Sequence, residues 1–234
     1  MTARPVIDVS RLPADAPDSR APAWWGNALF MAIETTTVAL LLASYFYLWR
    51  NFPDAQWPPT QGTTNPPILK PVPQLLYGTL NTLLLAATVP LAAWLHRTSR
   101  KRFDDLEALH AAETAEVPAE ARPEEKPAPV LAALLVTTVL IGLSVALRFK
   151  EFPALLVGWN ENAYGALVWS LLGLHLLYLV IEVVEFLMMF VWAALYGFGQ
   201  NMATDIMLTV EYWYWTVAVW GVLYAVVYWF PRVV

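Results

Sequence analysis

Residues 160–190 read NENAYGALVWSLLGLHLLYLVIEVVEFLMMF, and this stretch decides the fold class. Most of it is apolar enough to cross a bilayer, yet it carries His175, Tyr178, Glu182 and Glu185. Spacings of 3, 4 and 3 residues place these four side chains on one stripe of one helix. A carboxylate inside a membrane span costs about 3 kcal/mol even on a mild insertion scale. We therefore expect the stripe to face another helix or another subunit and not lipid.

The composition of the whole chain is that of a membrane protein. Apolar residues make up 58% of the 234 and charged residues 14%, against about 25% charged in a soluble domain. The 12 Trp and 10 Tyr suit a chain with two water–lipid interfaces. The net charge of −5 gives no reason to expect a nucleic-acid partner. The lack of cysteine excludes disulfides and thiolate metal sites within the chain.

A span needs about 20 mainly apolar residues, and five segments meet this length. The expected fold is an all-α membrane bundle of five helices, formed by a domain at residues 24–234 that follows a polar tail at 1–23. The expected helices cover residues 24–49, 72–96, 128–147, 163–194 and 211–230. A polar loop at 97–127 separates the second and third helices, and its first half could form a surface helix.

The distribution of Lys and Arg predicts the orientation. The polar tail and the 97–127 loop lie on one side of a five-span chain and hold nine Lys and Arg residues, against five on the other side. Cytoplasmic loops carry the excess of such residues. We therefore expect the N-terminus in the cytoplasm and the C-terminus outside.

Glu34 is the one charged residue of the first segment. Such a buried carboxyl could bind a lipid headgroup, relay protons or contact a partner subunit. It could equally be a protonated glutamate that is hydrogen-bonded to a neighbouring helix. The sequence favours neither group of interpretations.

The stripe of His175, Tyr178, Glu182 and Glu185 also raises the question of a metal. Carboxylate-bridged di-iron bundles place a Glu-x-x-His pair on each of two helices, and this chain has no such pair. His175 is the one histidine deep in a span, so bis-histidine haem ligation is not expected either. Hydrogen bonds between helices, or a polar contact with another subunit, are the favoured interpretations.

Aromatic pairs open two of the expected spans. Trp24 and Trp25 begin the first, and Tyr212 and Trp213 begin the fifth. Aromatic residues at span ends usually anchor a helix at the membrane interface. We predict that role for both pairs.

Several short motifs, in order along the chain, resemble subunit III of the haem–copper terminal oxidases. They are Trp25-Gly26 with Glu34, ASYFY at 43–47, WPP at 57–59, Asn81-Thr82, NAYG at 162–165 with LGLH at 172–175, and Tyr212-Trp213. The likeness covers about residues 24–230. Many members have two further helices at the N-terminus, and five-helix members are known among quinol oxidases and among homologues near nitric oxide reductases. Tyr178 stands where a second histidine is common, and Glu182 and Glu185 lie outside the common pattern.

The resemblance implies a non-redox subunit of a respiratory haem–copper oxidase, in the first place one of the cytochrome c type, in a bacterial inner membrane. Such a subunit would contact subunit I directly, assemble with subunit II and smaller subunits, bind phospholipid and support proton uptake. Haem and copper would lie in the partner subunits, with no catalytic residue and no metal in this chain. By this resemblance, Glu34 and His175 are the lipid- or proton-related candidates.

Two alternatives remain open from the sequence. One is a cofactor-free subunit of a quinol oxidase or nitric oxide reductase complex. The other is a stand-alone proton-coupled transporter that uses Glu34, Glu182 and Glu185, and the lack of a sustained internal repeat argues against it.

Overall fold

The computed structural model describes residues 16–51, 57–58, 72–113 and 128–233. Most of the N-terminal tail, the 59–71 part of the proline-rich segment and the 114–127 part of the polar loop lie outside the described residues. The helices are α1 (Pro22–Asn51), α2 (Leu75–Glu113), α3 (Ala128–Glu151), α4 (Ala163–Tyr196) and α5 (Gln200–Tyr224). A 3-10 turn at Phe152–Leu155 follows α3, and a π-helical turn at Ala225–Trp229 leads from α5 into α6 (Phe230–Val233).

Five of the described helical segments are long and apolar enough to cross a membrane, and this confirms the predicted all-helical membrane fold. The boundaries differ most from expectation at two places, and α3 also continues to Glu151, past its expected end at residue 147. α2 continues to Glu113 where a span end at residue 96 was expected, so the surface helix predicted after it is part of α2. α5 begins at Gln200 and not at Glu211.

The helices form a ring of four with the first helix outside it. α2 packs against α3 and α5, and α4 closes the ring between α3 and α5. α1 lies against α4 and α5. Successive helices run in opposite directions. The start of α1 therefore lies at the same end of the bundle as the end of α4 and the start of α5, and we call this the N-side end. The opposite end, where α6 finishes, is the C-side end.

α4 owes its start to the NAYG motif. Asn162 is the N-cap, and its side-chain oxygen accepts a hydrogen bond of 2.8 Å from the backbone N–H of Gly165. A Cβ on Gly165 would lie 2.3 Å from the carbonyl oxygen of Gly158, so glycine is needed for this close approach. α4 has 34 residues and is about 51 Å long at 1.5 Å per residue, longer than the ~30 Å hydrocarbon core.

Side-chain contacts join neighbouring segments at each end of the bundle. Trp57 is buried at the C-side end, where its indole N–H donates to the hydroxyl of Tyr45 at 2.9 Å and its ring meets that of Tyr164. At the N-side end, the Arg102 Nε donates to the carbonyl of Phe198 at 3.2 Å. Just before α1, Arg20 forms an exposed ion pair with Asp18 at 2.8 Å and holds the pKa of that carboxyl at about 2.

Candidate functional site: two buried polar clusters

The stripe predicted on the fourth span divides between two buried clusters. Tyr178 and Glu182 are buried and Glu185 is half-buried, and these three side chains face α1 and α5. His175 is fully buried and bonds to α3 and α5. The stripe therefore serves two sites at different depths and not one.

We call the first group the acidic cluster, and it is formed by Glu34, Tyr178, Glu182, Glu185 and Tyr212. Glu34 is 8% exposed, and its Oε2 accepts a 2.7 Å hydrogen bond from the hydroxyl of Tyr212. The carboxyl groups of Glu34, Glu182 and Glu185 are close enough to act on one another electrostatically. The structure thus brings together the carboxyl groups that the sequence had placed on separate helices.

Glu182 is the least satisfied member of the acidic cluster. It is 0% exposed, and its Oε1 accepts a long hydrogen bond of 3.4 Å from the hydroxyl of Thr216. Its Oε2 has no hydrogen-bond partner within the described structure. Thr209 is the hydrogen-bonding neighbour of Glu185. Three carboxyl groups with so few donors cannot all be ionised inside a membrane without a compensating cation.

Polar contacts hold α1 to this region. Besides the Glu34–Tyr212 bond, the Asn27 amide donates to the carbonyl of Leu208 at 3.0 Å, and the Trp215 indole donates to the hydroxyl of Thr35 at 2.8 Å. Because α1 is mostly exposed along its length, these bonds fix its rotation against α5.

The second group, which we call the arginine cluster, surrounds Arg148 near the C-side end. Arg148 is 0% exposed and donates to Glu151 Oε2 at 2.7 Å and to His175 Nδ1 at 3.0 Å. Its guanidinium carbon lies 4.2 Å above the ring of Trp220. The Nε of Arg148 has no partner in the described structure. This ion pair therefore lies among three helices, shielded from both lipid and water.

Further donors complete the arginine cluster. Asn81 donates to Glu151 Oε2 at 3.2 Å, and the Tyr228 hydroxyl donates to the other oxygen of the same carboxylate. Ser144 donates to the amide oxygen of Asn81 at 2.5 Å. These side chains come from α2, α3 and the π-helical turn, so one carboxylate joins three elements of the bundle. Buried ion pairs are tolerated only when their remaining hydrogen-bonding capacity is used in this way.

The tautomer of His175 follows from its two partners. Arginine can only donate, so Nδ1 accepts, and the Nε2–H donates to the carbonyl oxygen of Thr216 at 3.2 Å. The imidazole is therefore neutral. Thr216 also donates from its hydroxyl to Glu182, so this one residue of α5 joins the arginine cluster to the acidic cluster.

The remaining predicted site residues are the two aromatic pairs that were expected to open spans. Trp24 and Trp25 lie in the first turn of α1, where Trp25 is exposed and donates to the carbonyl of Ser19 at 2.9 Å, and their role as interface anchors stays a prediction. Tyr212 and Trp213 are buried in the middle of α5 because that helix begins at Gln200, and not in its first turn as the expected span boundary had placed them. The Trp213 indole instead donates to the hydroxyl of Thr88 on α2 at 2.9 Å.

The sequence did not reveal the arginine cluster. Arg148 directly follows the expected span end at residue 147, so the expected boundaries place it outside the membrane. A usable signal was present: Arg148 and Glu151 follow the third apolar segment at a spacing of three residues, which places them on one helix face. Among the described residues, no group of three His, Asp or Glu side chains is placed to hold a metal ion.

Part of this chain matches a known protein family. Residues 122–232 match the family model of cytochrome c oxidase subunit III. The matched segment contains α3, α4 and α5, and therefore most of the arginine cluster together with Glu182, Glu185 and Tyr212. α1, with Glu34, lies before it. The segment that contains these three helices therefore belongs to the cytochrome c oxidase subunit III family, in a chain with five described helices that are long and apolar enough to cross a membrane.

Proposed function

We propose that this chain is the non-redox subunit III of a haem–copper oxidase of the cytochrome c type, in a bacterial inner membrane. It stabilises the catalytic subunit I laterally, binds phospholipid and supports proton uptake during oxygen reduction. The observation that carries the proposal is the family match over α3–α5. The hydrogen bonds that the described residues form between helices suit a subunit that stabilises a larger partner.

The arginine cluster supports the stabilising role. Its members come from α2, α3, α4 and the turn after α5, and they are buried. Such a network fixes how helices are rotated against one another, because a rotation would separate several buried donors from their acceptors at once. Such a bundle is rigid, so its outer surface keeps the shape that a larger partner subunit would bind.

The acidic cluster supports the role in proton uptake. Glu34, Glu182 and Glu185 lie in the half of the bundle toward the N-side end, which the Lys and Arg distribution predicts to be cytoplasmic. A respiratory oxidase takes its protons from that side. Carboxyl groups that have few hydrogen-bond donors and lie close to one another can hold a proton and release it.

The proposed function is tested by purifying the tagged chain from its native membrane under mild detergent. We expect a catalytic subunit, a haem spectrum and phospholipid in the purified complex. The isolated chain should bind neither haem nor copper stoichiometrically. The proposal fails if no haem–copper subunit accompanies the chain, or if the isolated chain carries the haem.

The same purification addresses the alternative complexes. A quinol oxidase or nitric oxide reductase would also carry a cofactor-free subunit, and the five spans of this chain suit such a subunit. Mass spectrometry of the partner chains distinguishes these complexes, since a cytochrome c oxidase brings a subunit II with a copper site.

A further inference from the structure

One exposed face of α2 carries apolar, aromatic and basic side chains in a definite order. Spacings of 7, 11, 3 and 4 residues place Leu76, Leu83, Trp94, Arg97 and Lys101 on one side of the helix. All five side chains are exposed on the outside of the bundle. We call this set the α2 stripe, and Arg97 with Lys101 the basic pair.

The length of α2 sets the depth of the basic pair. The first 20 residues of the helix end at Trp94 and cover about 30 Å, the thickness of a hydrocarbon core. Arg97 follows about 5 Å further on, within the headgroup layer, and the flexible side chain of Lys101, about 10 Å on, can reach back to that layer. Asp104 and Asp105 come about 15 Å beyond Trp94, on the water side. The face therefore passes from apolar to aromatic to basic to acidic, in the order of the layers of a membrane.

Exposed aromatic side chains on two other helices agree with this depth. Trp25 lies in the first turn of α1, and Trp192 and Tyr196 lie in the last two turns of α4. All three are more than half exposed. Such residues are enriched where helices leave the hydrocarbon core. Trp94 thus lies at the end of the bundle where aromatic side chains of α1 and α4 also face outward.

The basic pair is available to a ligand, whereas its basic neighbours are engaged. Arg100 is paired with Asp104, and Arg102 donates to a backbone carbonyl. By contrast, the side chains of the basic pair form no hydrogen bond or ion pair within the described structure. α4 and α5 contain no Lys or Arg, and Arg20, just before α1, is held by Asp18. Unpaired positive charge at the N-side end of the described structure is therefore concentrated on α2.

An anionic phospholipid fits the α2 stripe along its length. Its phosphate would lie against the basic pair, and basic side chains at this depth attract anionic headgroups. Acyl chains that fill one leaflet, about 15 Å deep, would run from Trp94 to the level of Leu83. A free phosphate ion would leave this apolar part of the stripe unused.

The surrounding charges favour a lipid over an acidic protein partner. An acidic loop would approach from the water and meet Asp104 and Asp105 first. A phosphate of the membrane already lies at the depth of the basic pair and approaches it from the other side. From the depth, the charge and the continuity of the stripe, we propose that Arg97 and Lys101 bind an anionic phospholipid of the N-side leaflet. This inference rests on the proposed function, because it gives the lipid-binding role a site and a lipid class.

Native mass spectrometry of the full chain in detergent tests the proposal. Phosphatidylglycerol and phosphatidylcholine with the same acyl chains are titrated separately, and the dissociation constants of the first bound lipid are compared. One basic side chain near an anionic headgroup contributes about a fivefold gain in affinity, so two contribute about 25-fold. We expect phosphatidylglycerol to bind at least about tenfold more tightly than phosphatidylcholine. Arg97→Gln/Lys101→Gln should abolish that preference.

Two further variants control for net charge and for folding. Arg50→Gln/Lys150→Gln removes the same charge from exposed side chains at the C-side end, and should change the preference by less than about twofold. Arg97→Lys/Lys101→Arg keeps both charges and should keep the preference. A loss in the first control equal to that in Arg97→Gln/Lys101→Gln, or a complete loss in the second, would overturn the proposal.

Competition with inorganic phosphate distinguishes a lipid from a free anion. Millimolar phosphate should leave bound phosphatidylglycerol in place, because it cannot contact the apolar part of the stripe. Displacement of the lipid by phosphate would show a simple anion site and would overturn the proposal.

The complex purified from native membranes separates this proposal from the proposed function. Arg97→Gln/Lys101→Gln should keep the catalytic subunit and lose bound phosphatidylglycerol. If that variant loses the catalytic subunit while its lipid content stays the same, the basic pair binds a protein partner and the inference is wrong. If the native complex contains a haem–copper subunit but the chain binds both lipids equally, the inference is wrong while the oxidase assignment stands. If the native chain copurifies with no catalytic subunit, the oxidase assignment fails whatever the lipid titration gives.

Discussion

Replacing Arg148 by Met is the sharpest test of the arginine cluster. Arg148 is 0% exposed and donates to Glu151 and His175, so Met removes the charge while keeping much of the side-chain volume. Removing one partner of a buried ion pair costs about 3–5 kcal/mol, because the other charge stays buried. Glu151 would keep the donors Asn81 and Tyr228, so we expect a loss at the lower end, about 3 kcal/mol.

The double variant Arg148→Met/Glu151→Gln tests whether the unpaired carboxylate causes the loss of stability. It removes the uncompensated carboxylate, and replacing a buried pair as a whole is often close to neutral. We therefore expect it to recover at least half of the lost free energy of unfolding. The measurement is reversible unfolding of the purified chain in lipid–detergent bicelles, followed by tryptophan fluorescence.

A surface variant provides the control for this experiment. Arg100 pairs with Asp104 at 3.3 Å on an exposed face of α2, and Arg100→Met should change stability by less than about 0.5 kcal/mol. Two results would refute the argument. One is a loss below about 1 kcal/mol in Arg148→Met, and the other is a double variant that loses the sum of the two single changes.

Three further outcomes follow from the structure. Gly165→Ala should lower stability by about 1–3 kcal/mol in the same unfolding assay, because the new Cβ would lie 2.3 Å from the carbonyl oxygen of Gly158. Glu34→Ala should leave the haem spectrum of the complex unchanged and shorten its active lifetime during turnover, since losing the bond to a buried tyrosine costs about 1–3 kcal/mol in the contact between α1 and α5. The Asp18–Arg20 pair should persist in a carboxyl NMR titration down to low pH. The pKa of Asp18 is about 2, against an ordinary 3.8, so the contribution of the pair to stability is complete above pH 3.8 and is lost as the pH falls through about 2.

Matched variants keep these outcomes interpretable. Gly173→Ala places a Cβ where no atom lies within 4 Å, so it should be neutral or slightly stabilising in the same helix. A loss equal to that of Gly165→Ala would contradict the steric explanation. Loss of the haem signal in an assembled Glu34→Ala complex would contradict a non-redox role. For the Asp18 titration, Arg20→Gln should return the pKa toward its ordinary value, and an unchanged titration would show that the ion pair is not the cause.

The sequence predicted the elements of this fold better than their ends. Apolar length located all five spans, because the bilayer imposes it, whereas helix continuation past the membrane depends on contacts that length does not encode. This is why Tyr212 was expected at an interface and lies inside the bundle. Helical spacing also placed His175 and Glu182 correctly on one face. It could not show that Arg148 approaches His175, since that contact joins residues 27 positions apart through the packing of α3 on α4.

The bond between Glu34 and Tyr212 has a consequence for how the protein is made. Its two partners lie 178 residues apart, so at a synthesis rate of 5–20 residues per second Glu34 waits roughly 10–35 s for Tyr212 to be synthesised. During that interval α1 is in the membrane without α5, and its carboxyl group lacks the hydroxyl that will bind it. The first helix is thus poorly suited to the bilayer alone. A translocon or insertase that shelters α1 until α5 arrives would favour correct assembly, and a chain truncated before α5 should be a preferred substrate for membrane quality-control proteases.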